Sequence, residues 1–310
     1  MAFARKWAPK RRIIIVFLLS ILVSVVWSFW SIFADILASL NSSGIFTCIT
    51  IAYLVTVLGS IPLALKFKNK TDTKISKRPK IKFIYPLLGG AVMGLGIVLF
   101  YGLVGNKDFP FVSSMMFSGI MVMAFLISRL AKTRPNKFYI IGTAVVIAGL
   151  ALQTLALYGF ELASSLYIII LSVVMMLAYS AGDYLVFYSA YQGVAPSLLT
   201  PLNDLGILCV AFIGGLLFGG FSIISHLTMI EIVLSVAVGL LVIMGDYFSF
   251  YAIRMIKGEK SKIINIANIL QTLEVVGVAL FSIFYLSLSL PLIILGFAVL
   301  FIGLALIAIS

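Results

Sequence analysis

Apolar stretches long enough to cross a bilayer follow one another along almost the whole of this 310-residue chain, and the charges between them are one-sided. A spanning helix needs about 20 apolar residues at about 1.5 Å rise each. Ten segments meet that length, at roughly 13–37, 44–66, 82–104, 110–130, 138–158, 164–190, 196–218, 229–253, 263–285 and 290–309. Of the 22 Lys and Arg residues, all but Lys107 fall on one side of this pattern, in the clusters Arg5 to Arg12, Lys66 to Lys82, Arg129 to Lys137 and Arg254 to Lys262. Cytoplasmic loops keep Lys and Arg, so these clusters are expected in the cytosol, together with both termini. Loop 191–195 falls on the same side and carries no charge.

The chain is 63% hydrophobic and 10% charged, with a mean hydropathy of +1.22, far from soluble proteins. Its net charge of +12 does not point to nucleic acid. The basic residues lie in short loops beside membrane segments, where topology accounts for them and anionic lipid can meet them. Cys48 and Cys209 both fall inside apolar segments and read as neither a disulfide nor a metal site. Residues 1–12 form a basic cytosolic N-terminus. The run that follows, from Ile13 to about Leu37, is too long for a signal peptide and ends in no small-residue cleavage site. Asn41-Ser42-Ser43 is a formal glycosylation sequon, placed too close to the membrane to be used.

The two halves echo each other. Phe100-Tyr101 returns as Phe250-Tyr251, 150 residues later. Gly142 and Gly149 return with the same spacing as Gly296 and Gly303, 154 residues later. Segments 13–158 and 164–309 would then hold five helices each. Five is odd, so the second half enters the membrane inverted. Inverted repeats are the architecture of alternating-access transporters, with the substrate site near the midplane. The glycines taken alone read as close helix packing.

Phe100 to Leu152 and Phe250 to Ile307 resemble the two repeats of the drug/metabolite transporter superfamily, in its ten-helix EamA-type branch. Thr272-Leu273-Glu274-Val275-Val276 is similar to the Leu-Glu-Pro-Val stretch common in the second repeat, with Val275 where the Pro would stand. The Gly-Glu often found closing the fourth and ninth helices is replaced by Ser128-Arg129 and Phe284-Tyr285. The resemblance implies an all-α integral membrane protein of ten helices in two inverted five-helix repeats, in a prokaryotic cell membrane, exporting a small solute.

The chemistry lies in acids that fall within apolar segments: Asp183, Asp204, Asp246 and Glu274. A centred Asp costs about 2.5–3.5 kcal/mol on insertion scales, so four facing lipid would cost on the order of 10 kcal/mol. They are expected to face a cavity or one another. No Lys or Arg lies within a helix core to neutralise them, and carboxyls crowded in low dielectric can bind protons near neutral pH. Gly182-Asp183-Tyr184 with Phe187 is echoed by Gly245-Asp246-Tyr247 with Phe250. Acid and Phe are four apart, on one helix face. A carboxylate beside aromatic rings suits an organic cation or a zwitterion. The plainer reading of Tyr184, Phe187, Tyr247 and Phe250 is packing. Asn203 adjoins Asp204, and Asn265, Asn268, Gln271 and Thr272 form a slanted polar stripe ahead of Glu274, suited to a wet cavity or to interhelical hydrogen bonds. Asp35, near the outer end of the first segment, reads as solvated, and His226 as plain surface.

Enzyme motifs are missing: there is no phosphate-binding Gly loop, no metal cluster and no histidine beside a nucleophile. Asp183 and Asp246 could imitate an intramembrane aspartyl protease, but Gly-x-Gly-Asp is absent. The expected function is a proton-coupled secondary transporter without cofactor, taking a small cationic or zwitterionic solute. A channel or a membrane scaffold is the alternative. The absence of a buried Lys or Arg speaks against phosphates and nucleotide sugars, which need cationic clamps.

Overall fold

The computed structural model describes residues 9–40, 44–67, 80–104, 108–130, 136–159, 162–217, 227–256, 273–284 and 291–308. Among these residues the regular elements are all helices: α1 (Pro9–Leu40), α2 (Ile45–Phe67), α3 (Tyr85–Leu103, entered through a π-helical turn at Lys80–Ile84), α4 (Phe109–Phe117), α5 (Ile120–Leu130), α6 (Lys137–Tyr158), α7 (Leu162–Gln192), α8 (Pro196–Leu217), α9 (Met229–Met255), α10 (Glu274–Phe284) and α11 (Pro291–Ala308). Eight stretches of the described chain are long and apolar enough to cross a membrane, and Pro291–Ile307 adds a shorter apolar helix. In lipid the backbone has no water to bond, so closed helical hydrogen bonding is the form such stretches take.

The helix ends follow local chemistry. Pro9 opens α1, a position where the missing N–H costs nothing, and the helix starts before the predicted residue 13. The Asn136 side chain caps α6 by accepting from the backbone N–H of Phe138 at 2.9 Å and of Tyr139 at 3.2 Å. Thr228 and Glu231 form a capping box at the start of α9, and the Glu231 carboxylate is buried in doing so. Gly193 takes a φ of 102°, which lets the chain reverse between α7 and α8 in three residues. The predicted segment 110–130 is not one helix. It breaks at Ser118-Gly119, where the Ser118 hydroxyl donates back to the Ser114 carbonyl at 2.7 Å and Gly119 presses against Ser180 of α7. The start of the predicted segment 263–285 lies outside the described residues, and the helical part that is described is the short α10, which begins at Glu274.

Packing places the helices in specific partnerships. α3 lies against α7 and α8, α9 lies against α1 and α2, α2 lies against α8, and α6 lies against α11. α4 and α5 touch α7, and α10 touches α1. The α6–α11 pair makes an extensive close contact. Gly142 faces Gly303 and Gly149 faces Gly296, so the two helices run antiparallel. A methyl group on Gly149 would stand 2.7 Å from the Leu300 backbone nitrogen and 2.8 Å from the Gly296 carbonyl oxygen. These glycines therefore serve close backbone approach, as small residues do between membrane helices.

Candidate functional site

The polar centre is built by α7, α8 and α9. Asn203 and Asp204 are adjacent on α8, 1% and 0% exposed, and Asp246 on α9 is 7% exposed. The Asn203 side-chain N–H donates to Asp246 Oδ2 at 2.9 Å and reaches Asp204 Oδ1 at 3.5 Å. One amide thus ties together carboxyls from two helices. The two carboxyls are close enough to act on each other electrostatically. Asp183, half-buried on α7, stands within electrostatic reach of Asp246. No basic side chain among the described residues neighbours any of these acids or Glu274.

Aromatic side chains close round this centre. Tyr179 of α7 stands within electrostatic reach of Asp183, Asp246 and Glu274, which links the first residue of α10 to the other acids. Tyr53 of α2 does the same for Asp204 and Asp246, with Tyr101 of α3 beside it. Trp30 of α1 stacks on Phe100 at 5.3 Å between ring centres and meets Tyr101 edge-on at 6.0 Å. Several buried polar atoms here have no hydrogen-bond partner: Trp30 Nε1, the Tyr101 hydroxyl, Thr200 Oγ1, Asn203 Oδ1 and Asp204 Oδ2. Buried polar groups are normally paired, and a site that binds something is one reason for leaving them open.

Of the residues named from sequence, Asn203, Asp204 and Asp246 stand in contact, Asp183 lies within electrostatic reach of Asp246, and Glu274 within reach of Tyr179. The flanking aromatics make the ring contacts of the plainer packing reading. Phe187 stacks on Tyr191 at 6.1 Å, Tyr184 pairs with Tyr188, and Tyr247 pairs with Phe248, while Phe250 is buried in the core. Their ring partners are other aromatics. The rings that do stand near the acids, Tyr53 and Tyr179, were not singled out from sequence. Tyr179 carried a signal, since it lies four residues before Asp183 and hence on the same face. Asp35 is not solvated: it is 1% exposed, because α1 runs on to Leu40 and keeps it inside the helix. Asn265, Asn268, Gln271, Thr272, His226 and the sequon at 41–43 lie outside the described residues.

Among the described residues no group of three or more His, Cys, Asp or Glu side chains could hold a metal ion, and both cysteines are free. No family model matches the chain, and no curated protein matches it. Fold and site together define an all-helical protein with the apolar helices of an integral membrane protein and an acidic, aromatic-lined interior.

Proposed function

We propose that this protein is a secondary transporter that moves a small cationic or zwitterionic solute in exchange for protons, built as ten membrane helices in two inverted repeats of EamA type. The observation that carries the reading is the pair Asp204 and Asp246, held on separate helices by Asn203, buried and without a basic neighbour among the described residues. Buried acids in a membrane are costly and face interiors or pathways, where they relay protons or pair with cargo.

The helix partnerships support the repeat. Counting α4 with α5 as one segment, each helix has a counterpart five segments on. Exchanging counterparts turns the α3–α7 contact into α9–α1, and α3–α8 into α9–α2. The α2–α8 and α6–α11 contacts map onto themselves. The antiparallel course of α6 and α11 agrees with an odd number of crossings per half. The aromatic rings beside the acids favour a cation over an anion, which would meet like charge in low dielectric.

The test is uptake of an organic cation, ethidium, into proteoliposomes under an imposed pH gradient. Saturable uptake that follows the gradient is expected, and Asp246→Asn and Glu274→Gln should each remove its response. Gradient-driven flux unchanged in both variants would sink the carboxylate assignment, and non-saturable flux would favour a channel.

A further inference from the structure

Three of the unpartnered oxygens share one face of α8. Thr200 Oγ1, Asn203 Oδ1 and Asp204 Oδ2 belong to residues no more than 1% exposed, and helical steps of three and four set them side by side. Pro201 lies within the same turn. It has no N–H, so the Ser197 carbonyl loses its helical donor; Ser197 is seven residues before Asp204 and falls on the same face. Asp246 approaches from α9, held by Asn203.

We propose that Thr200, Asn203 and Asp204 of α8, with Asp246 of α9, form a binding site for one sodium ion. The inference deepens the transporter reading by naming an ion that its acids take, and rests on that reading for its purpose though not for its measurement. All the ligands offered are oxygens, the preference of hard cations. Soft or borderline metals would look for Cys or His, and no such cluster occurs among the described residues. Calcium asks for six to eight oxygens, and magnesium keeps most of its water, so a few side chains and a freed carbonyl suit neither. A monovalent ion at these residues also leaves Asp183 and Glu274 to serve the solute.

The test uses the purified full-length protein in detergent, at about pH 8, where carboxyls are ordinarily ionised. Its melting temperature is followed in sodium, potassium and choline chloride at matched ionic strength. Raising sodium about thirtyfold should lift the midpoint by about 2 °C or more, while potassium and choline do not. Thr200→Val and Asp204→Asn should each abolish the sodium response, and Glu274→Gln should keep it. An equal rise in potassium, no rise in sodium, or a full sodium response in Thr200→Val overturns the proposal. If Asp204→Asn does not fold, the ion comparison on the intact chain and Thr200→Val still decide. Ethidium flux without a sodium response refutes the site alone; a sodium response without flux refutes the transporter alone.

Discussion

Asn203 is the residue on which the polar centre turns, because its one amide group serves a carboxyl on its own helix and one on the next. Asn203→Leu should leave the Asp246 carboxyl buried without its donor and destabilise the protein by about 1–3 kcal/mol. Adding Asp246→Leu should recover part of that loss, since removing both partners is milder than stranding one. Thermal unfolding of the single and double variants checks this, and a double variant less stable than the single one would contradict it. The acids were legible in the sequence because a charge inside an apolar run has no packing explanation. Tyr53 and Trp30 were not, because an aromatic body fits any core and only its polar tip tells otherwise.

At the scale of helices, the α6–α11 contact rests on close backbone approach. Gly149→Ala would push a methyl group against the backbone of Leu300 and Gly296, which cannot swing aside, and should cost about 1–3 kcal/mol. Gly102→Ala makes the control: a methyl group there meets nothing within 4 Å, and its effect should be neutral or slightly stabilising. Comparing the two melting temperatures tests the point, and equal midpoints would remove the glycines' packing role. The paired glycine spacing was readable in advance, since close approach leaves a regular trace. The break at Ser118-Gly119 was not. Its hydroxyl and glycine are ordinary inside a membrane helix, and only the nearness of Ser180 gives them meaning.

For the whole molecule, the one-sided basic loops predict that a thiol placed at Lys70→Cys is shielded from membrane-impermeant reagents in intact cells and labelled after the cells are opened. Labelling from outside would end the proposed ten-crossing topology. In the proposed repeat, the exchange of helix partners gives a frame whose two sides match, while the four acids of the polar centre fall to one of them. The acids come from α7 to α10, whereas Trp30, Tyr53, Phe100 and Tyr101 come from α1 to α3. Under that proposal two identical five-helix chains could build the same frame, but each of these acids would then have a duplicate in the other chain, doubling the negative charge. A single continuous polypeptide can keep Asp183, Asp204, Asp246 and Glu274 to one side. On the proposed repeat, that inner mismatch is something two copies of one half could not keep.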